Sequence, residues 1–314
     1  MLNAIQSNVV VLQQKANHFS KFFIRLTFIN SFISTKMTIK EISFSKLHGA
    51  GNDFIMLNGF AADIQLQPSE IAHLCHRQYG IGADGLILLL PSADTDFRMI
   101  YFNSDGYEGS MCGNGGRSVA VFAWLCRVAG LDGRFEAFDG VHSYKILNNY
   151  QNQLFEVELT MLDVNHFEYD DNRLIVNTGS PHCVIRTADL SHTNVYEAGK
   201  AIRYSDDFAP DGVNVNFLEI EQDGASLRTY ERGVENETLS CGTGVTAAAI
   251  ALAVWENRLE NSIKTVGGQL SVSMHATKTG FSNIVLRGPV TYVYQGKIAL
   301  NKPHLYSLKH DTSG

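Results

Sequence analysis

A short motif, Cys-Gly-x-Gly, occurs twice in this sequence, and each copy begins a long run of apolar residues. Residues 111–117 read Met-Cys-Gly-Asn-Gly-Gly-Arg, and residues 240–246 read Ser-Cys-Gly-Thr-Gly-Val-Thr. The runs that follow, at 113–129 and 242–257, are almost wholly apolar on every face of a helix, and such a helix has to be surrounded by protein. The repeat therefore predicts two buried central helices, each starting directly after a cysteine.

Other landmarks recur at nearly the spacing of these two cysteines. Cys112 and Cys241 are 129 positions apart (241 − 112), and the Ala-Asp-Gly-Leu at 83–86 returns as Pro-Asp-Gly-Val at 210–213. Further matches follow in the same order along the chain. This period is too long for a solenoid, so we expect an internal duplication with two similar halves.

The rest of the sequence is rich in short strand patterns. They lie at 42–47, 54–57, 86–90, 97–102, 135–138, 143–147 and 154–159 in the first half and at 174–176, 183–186, 213–220, 226–230, 270–275, 283–286 and 290–294 in the second. Helix patterns are limited to a segment beginning at Pro68, a segment at 194–204 and the two runs after the cysteines. Neither strict β-α-β alternation nor a Rossmann order is present. We therefore expect a strand-rich α/β (α+β) fold of two pseudo-symmetric domains.

We predict the N-terminal half at 37–160 and the C-terminal half at 161–296, with a last strand at 297–310 that returns to the first half. Residues 1–36 differ from the rest, because they carry basic side chains and no acidic one. They fit an organellar targeting segment, a translated extension or a misassigned start with Met37 as the initiator. We leave them out of the fold.

Composition narrows the class of protein. A chain of 314 residues that is 45% hydrophobic and 18% charged suits two globular domains. The net charge of −7 argues against nucleic-acid binding, and charges interrupt the apolar residues near the N-terminus, which argues against a membrane span. Five cysteines without paired spacing indicate free thiols in a reducing compartment, so we expect the cytoplasm.

The setting of Cys112 and Cys241 indicates acid-base chemistry. Unpaired backbone N–H groups and the helix dipole stabilise a thiolate at a helix start, and they also attract a substrate carboxylate. Two thiols at two matched helix starts suit removal of an α-hydrogen from one face of an amino acid and delivery to the opposite face. One sulfur is thiolate and the other thiol in each turnover.

Nothing in the sequence indicates a cofactor or a metal. No lysine motif points to pyridoxal phosphate, and the close group His73, Cys75 and His76 lacks a second pair of ligands. We expect Cys75, Cys126 and Cys183 to serve packing, with Cys126 inside the first apolar helix.

The motifs strongly resemble those of the diaminopimelate epimerase family, in sequence order from about residue 37 to about residue 300. They are Phe44-x-Lys46-x-His48-Gly49-x-Gly51-Asn52-Asp53-Phe54, Gly82-Ala83-Asp84-Gly85, Asn103-x-Asp105-Gly106, Met111-Cys112-Gly113-Asn114-Gly115-x-Arg117, Glu231-Arg232-Gly233 and Cys241-Gly242-Thr243-Gly244.

The resemblance implies a fold and an activity. The fold has two pseudo-symmetric domains, each a curled, mainly antiparallel sheet around a central helix, with the active site in the cleft between them. The activity is cofactor-independent interconversion of LL- and meso-diaminopimelate, in the route to lysine and peptidoglycan precursors. The family also implies a homodimer.

The resemblance assigns roles to particular positions. The two bases are Cys112 and Cys241. The backbone amides that hold the reacting carboxylate belong to Gly113, Asn114, Gly242 and Thr243. The groups that hold the amines and the distal carboxylate are Asn52, Asn103, Asn214, Glu231 and Arg232. The residues that adjust the proton affinities of the thiols are His182 and Glu231.

Two positions depart from the family pattern. Ser180 stands where the family usually has an asparagine that contacts substrate, and a serine hydroxyl reaches less far than an amide. We keep Ser180 as a candidate contact. Tyr107 replaces the family's usual serine after Asn-x-Asp-Gly. Neither change removes a catalytic group, and their effect on the wall of the pocket is open.

Three alternatives remain open on the sequence. The first is a related racemase acting on proline or hydroxyproline, although such relatives usually carry histidine at the position of Asn114. The second is a redox protein in which Cys112 and Cys241 form a reversible disulfide. The third is an amino-acid binder without catalysis. Which cysteine deprotonates which isomer is also open.

Overall fold

The computed structural model describes residues 40–151 and 153–300. The predictions for 1–36 and for 301–310 lie outside these ranges. Ile42–Ile298 forms one compact unit, which contains both copies of the repeated phrase. None of the helices in the described ranges has the length and hydropathy needed to cross a membrane. The half boundaries at 160 and 161 stay a prediction.

Sixteen strands and four α-helices make up the described residues. The strands are β1 (Lys40–Gly49), β2 (Asn52–Asn58), β3 (Gly85–Leu90), β4 (Phe97–Asn103), β5 (Asp132–Ala137), β6 (Gly140–Tyr150), β7 (Leu154–Thr160), β8 (Phe167–Tyr169), β9 (Arg173–Asn177), β10 (Pro181–Arg186), β11 (Asn214–Glu221), β12 (Gly224–Glu231), β13 (Asn236–Thr238), β14 (Glu260–Thr265), β15 (Gly268–Ala276) and β16 (Phe281–Leu300). The helices are α1 (Pro68–Cys75), α2 (Gly113–Leu125), α3 (Val195–Arg203) and α4 (Gly242–Glu256).

The order of strand pairing repeats, as the duplication predicted. From β1 to β7 the successive pairings are antiparallel, parallel, antiparallel, parallel, antiparallel and antiparallel. From β9 through β10, β11, β12, β14 and β15 to β16, the same six pairings occur in the same order. Each parallel pairing spans one helix. The two halves therefore share one topology, in which antiparallel pairs predominate.

Each half wraps its sheet around one central helix. All residues of α2 from Gly113 to Ala123 and all residues of α4 from Gly242 to Ala253 are buried. The backbone angles of the two N-caps are nearly identical, with φ and ψ of −115° and 113° at Cys112 and of −118° and 112° at Cys241. The apolar repeat therefore specified both helices and their starting points.

Helix α2 ends four residues before the predicted end at residue 129. Arg127 adopts a left-handed φ of 58°, and the amide of Val128 donates to the carbonyl of Ala123, which is a typical helix termination. Cys126 is thus the C-cap and is half-buried, so its predicted place inside the helix was wrong. Helix α4 ends as predicted, because Asn257 supplies a left-handed cap.

Strand β16 replaces two strands that the sequence indicated on either side of Gly288 and Pro289. Its first part pairs with β15 up to Arg287, and the next residues, from Gly288 to Thr291, pair with β7. The Gly-Pro pair therefore marks the point where the strand changes partner, not a turn. Three short or polar strands, β8, β13 and β14, had no counterpart in the sequence prediction.

The buried helix α4 should dominate stability in the second half. We expect Leu252→Ala to lower the free energy of unfolding by about 2–5 kcal/mol, because the Leu252 side chain is fully buried in the core. Leu131→Ala, at a half-exposed side chain, is the matched control and should change it by less than about 0.5 kcal/mol. Urea unfolding followed by circular dichroism measures both. Equal effects would contradict the assigned packing.

Candidate functional site

The first turns of α2 and α4 touch each other. A Cβ atom built on Gly242 would lie 2.9 Å from the Cα of Gly113 and 3.0 Å from the amide nitrogen of Asn114. A side chain larger than hydrogen would therefore push the helices apart. This contact brings the cysteines that precede the two glycines to one place.

A cavity of about 260 Å³ lies in front of the two helix starts. It is lined by both cysteines and by most of the other residues that the sequence singled out. They are Asn52, Asn103, Cys112, Gly113, Ser180, Asn214, Glu231, Arg232, Cys241, Gly242 and Thr243. Residues from both copies of the repeat thus face one space.

Cys112 lies at the N-cap of α2 and is half-buried. Its Sγ accepts a hydrogen bond from the amide of Gly115 at 3.4 Å and donates to Oδ1 of Asn52 at 3.5 Å. Asn52 is held in turn by Asp84, whose Oδ2 accepts from Nδ2 of Asn52 at 2.8 Å. The turn between β1 and β2 therefore fixes one side of this thiol.

The side chain of Asn114 links the segments that contain Cys112 and Cys241. Its Nδ2 donates to the carbonyl of Ser240 at 2.9 Å and to Oδ1 of Asn52 at 3.4 Å. Ser240 is the residue before Cys241, and Asn52 contacts Cys112. Asn114 itself is fully buried behind the cavity wall. Its side chain therefore serves the contact between the halves, while its backbone amide belongs to the first turn of α2.

Cys241 has a buried polar network behind it. Thr243 Oγ1 lies 3.4 Å from the Sγ of Cys241 and 2.9 Å from Nε2 of His182. Asn216 donates to Nδ1 of His182 at 3.0 Å, which leaves Nε2 as the donor toward Thr243. His182 does not line the cavity, and its hydrogen-bonded link to Cys241 runs through Thr243. Ser180 Oγ joins this network at 3.0 Å from Nε2 of His182.

Glu231 and Arg232 also line the cavity. Oε2 of Glu231 accepts from Thr238 at 2.8 Å, and the amide of Arg232 donates to Oδ1 of Asn214 at 2.9 Å. The guanidinium of Arg232 donates to the carbonyl of Asp211. Among residues 40–151 and 153–300, no acidic side chain forms an ion pair with Arg232, which is therefore available to an anion in the cavity.

Burial controls the protonation of the site. It raises the pKa of Cys112 to about 12, although hydrogen bonds from the amides of Gly115 and Asn114 partly oppose this. Burial also raises the pKa of Cys241 and is opposed by Thr243 and Gly244. Desolvation by burial therefore outweighs the favourable effect of the two helix starts on the thiolates.

Two neighbours of the thiols also have displaced pKa values. Burial raises the pKa of Glu231 to about 7, and its carboxylate in turn raises the pKa of both cysteines. Burial and the charge of Arg232 lower the pKa of His182 to about 3, so this imidazole is neutral at physiological pH. The site thus contains one carboxyl group that titrates close to neutrality.

The sequence assigned no role to several residues of the cavity. They are Tyr101, Glu108, Gly109, Ser110, Met111, Gly233 and Ser240. Met111 and Ser240 directly precede the cysteines and Ser110 precedes Met111, so adjacency could have found them. Tyr101 lies within an ordinary strand pattern and offered no signal. No group of three or more His, Cys, Asp or Glu side chains suited to a metal ion occurs in the described part of the chain.

The family described as "Diaminopimelate epimerase" matches residues 44–153 and 174–293 of this chain. Diaminopimelate epimerase of Flavobacterium psychrophilum is 43% identical over 260 residues, which cover 81% of this chain and 98% of the relative. The enzyme of the same name from Chlorobaculum tepidum is 40% identical over 266 residues, covering 81% and 100%. The chain belongs to the diaminopimelate epimerase family.

Solved structures with low sequence identity share the fold of this family. A hydroxyproline epimerase from Agrobacterium vitis aligns with a TM-score of 0.65 at 16% identity, covering 85% of this chain and 93% of that one. A PhzF-family phenazine biosynthesis protein of Bacillus anthracis aligns with a TM-score of 0.65 at 14% identity, covering 83% and 100%. The predicted family and the two-domain α+β fold are confirmed.

The two departures from the family pattern have different surroundings. Ser180 lines the cavity, where its hydroxyl accepts from Nδ2 of Asn214 at 3.1 Å and lies near Thr243. Tyr107 is 66% exposed and does not line the cavity. Ser180 is thus the departure that bears on the site.

The contact between the helix starts should resist any added side chain. We expect Gly242→Ala to lower the free energy of unfolding by about 1–3 kcal/mol, because the methyl group meets the backbone of the other helix. Gly130→Ala is the control, since the nearest atom to its Cβ lies at 3.5 Å. Urea unfolding compares the two. A neutral Gly242→Ala would show that the helices can separate freely.

Glu231 should make stability depend on pH. Its folded pKa of about 7 lies above the usual 4.5, so its contribution is complete below about pH 4.5 and is lost as pH rises through 7. Between pH 5 and pH 8, we expect the burial of Glu231 to lower the free energy of unfolding of the wild type. In Glu231→Gln the change over the same range should be more favourable by roughly 1–2 kcal/mol. The exposed Glu168→Gln is the control and should follow the wild type. Parallel curves for all three would contradict the burial of Glu231.

Proposed function

We propose that this protein interconverts LL- and meso-diaminopimelate by moving one α-hydrogen between two faces of the substrate. The observation that carries the proposal is that Cys112 and Cys241 both line one cavity at the abutting starts of two helices. A disulfide switch or a simple binder has no need of two matched helix starts. Family membership supports the choice of substrate.

The helix starts suit the carboxylate of the reacting centre. The first amides of a helix have no intrahelical acceptor, and both dipoles point their positive ends at the cavity. The amides proposed for this carboxylate are those of Gly113, Asn114, Gly242 and Thr243. Because negative charge spreads from the α-carbon into the carboxylate when the proton leaves, these amides stabilise the transition state more than the ground state.

The reaction needs one thiolate and one thiol. In the proposed step, the thiolate takes the α-hydrogen as a proton, the electron pair stays on the α-carbon and its carboxylate, and the second thiol gives its proton to the opposite face. The two sulfurs then have exchanged protonation states. The ammonium group of an entering amino acid favours the thiolate, which offsets the rise that burial causes in the pKa of Cys112.

The remaining polar groups suit the far end of diaminopimelate. Arg232 offers a guanidinium without an acidic partner among the described residues, and a guanidinium binds a carboxylate in a bidentate manner. We assign the amine contacts to Asn52, Asn103, Asn214 and Glu231, with Ser180 as a shorter substitute for an amide. His182 and Glu231 adjust the thiols, through Thr243 and through charge respectively.

Two further parts of the proposal concern the whole molecule. We propose that the protein works in the cytoplasm, which suits the five free cysteines of the described chain. We also propose a homodimer, as the family implies. Light scattering of the purified protein measures the oligomeric state directly.

The proposed chemistry predicts hydrogen exchange with solvent. In D₂O without added cofactor, the wild type should place deuterium at the α-carbon of LL-diaminopimelate with inversion. Cys112→Ser and Cys241→Ser should each reduce the rate at least about 100-fold, because serine is a far weaker acid than cysteine. NMR and mass spectrometry of the substrate measure exchange.

Cys126→Ser is the control, since this half-buried side chain lies at the other end of α2 and should leave exchange within about threefold. L-Proline and trans-4-hydroxy-L-proline are tested in parallel. Exchange confined to those substrates would favour the proline racemase alternative. Binding of diaminopimelate without any exchange would overturn the proposal.

A further inference from the structure

Arg117 is a fully buried cation that the proposed reaction does not use. It lies in the second turn of α2, and its side chain fills the space between the glycine before the β1–β2 turn and a glycine of β16. A Cβ on Gly49 would lie 3.3 Å from its Nη2, and a Cβ on Gly288 would lie 3.3 Å from its Nε. Both glycines therefore leave room for the guanidinium.

The guanidinium has few compensating contacts. Nη1 donates to the carbonyl of Gly113 at 3.2 Å, and Nη2 donates to Oδ1 of Asn114 at 2.8 Å. Nε is buried without a hydrogen-bond partner, and within residues 40–151 and 153–300 no acidic side chain forms an ion pair with Arg117. Burying an unpaired charge costs several kcal/mol, so the charge is expensive for the fold.

The second half shows that the fold does not require this charge. Thr246 occupies the position in α4 that Arg117 occupies in α2, and its Oγ1 donates to the carbonyl of Gly242 at 3.0 Å. In α4, a neutral hydroxyl thus donates to the carbonyl that corresponds to the one that the guanidinium of Arg117 bonds in α2. Thr243 corresponds to Asn114. Its hydrogen-bond partner is the neutral His182, whereas that of Asn114 is the charged Arg117. The cation exists on the Cys112 side alone.

Arg117 is linked to the thiol of Cys112. It orients Asn114, which donates to Asn52, and Asn52 accepts from the Sγ of Cys112. Its positive charge also lowers the pKa of Cys112 against the larger effect of burial, and a Cys112 thiolate in turn raises the pKa of Arg117. Burial lowers the pKa of Arg117 to about 10, so the guanidinium remains charged at neutral pH.

The other charged groups near the thiols do not distinguish them in this way. Glu231 disfavours both thiolates, and the two cysteines disfavour each other. Tyr101, whose pKa burial raises, also faces Cys112. Arg117 is the group that breaks the symmetry of the duplicated site.

We propose that Arg117 is a positioning residue whose buried charge makes Cys112, and not Cys241, the first of the two thiols to lose its proton. This inference rests on the proposed two-thiol function. The resting enzyme then accepts first the isomer whose α-hydrogen faces Cys112. The opposite isomer requires that a proton first move from Cys241 to Cys112.

Alkylation rates of the individual cysteines test this inference. At a pH below its pKa, a thiol reacts with iodoacetamide in proportion to its thiolate fraction, so one pKa unit changes the rate about tenfold. Arg117→Gln keeps a hydrogen-bond donor and removes the charge. It should slow alkylation of Cys112 about tenfold or more and leave Cys241 within about threefold. Peptide mass spectrometry follows each site separately.

Arg117→Lys and Thr246→Val are the matched variants. The lysine retains the charge, so the rate at Cys112 should stay within about threefold of the wild type. Thr246→Val removes the equivalent hydrogen bond in α4 and should change neither rate. A purely structural role for Arg117 predicts faster alkylation at both cysteines in Arg117→Gln, because loosened packing exposes them. That outcome, or equal slowing by Gln and Lys, would overturn the inference.

A second measurement requires no change at Arg117. Thiolate ultraviolet absorbance is titrated in Cys241→Ala, which retains Cys112, and in Cys112→Ala, which retains Cys241. The thiolate should form at lower pH in Cys241→Ala, and the reverse order would refute the inference. Neither measurement involves substrate, whereas deuterium exchange into diaminopimelate tests the proposed function. The two can therefore fail independently.

Discussion

The contact between Gly113 and Gly242 is the constraint on which the site depends. Two helices that begin against each other bring two sets of free amides and two cysteines to one cavity. Each helix is buried throughout its first three turns, so the surrounding sheets hold it in place. The glycines contribute by their lack of a side chain. The apolar sequence of the helices serves to hold this contact, and the contact in turn creates the site.

The duplicated fold gives the site a nearly symmetric backbone, whereas individual side chains differ between the two halves. The strand pairings repeat in order, and the N-caps have nearly the same backbone angles. Yet Asn114 of the first half corresponds to Thr243 of the second, and Arg117 corresponds to Thr246. The neutral His182 stands behind one thiol, and a buried guanidinium stands behind the other. An enzyme that handles two mirror-related hydrogens thus does so with unequal surroundings.

A structural element could be predicted from the sequence where its apolar residues form a clear pattern. The two central helices and the strands with clean alternation were predictable, because burial on all sides or on one side leaves a clear apolar period. Strand β14 was missed because Asn261 and Thr265 occupy inward positions that usually carry apolar residues. The end of α2 was misplaced because its apolar residues continue past the left-handed Arg127. The protonation of Cys112 could not be predicted, since desolvation depends on packing by distant segments.

Strand β16 joins the two halves in a way that limits how they can move. Because the same strand pairs first with β15 and then with β7, the halves share an uninterrupted hydrogen-bonded ladder along one side. Separation at that side would require breaking these main-chain hydrogen bonds. An opening that rotates one half about β16 would leave this shared strand intact.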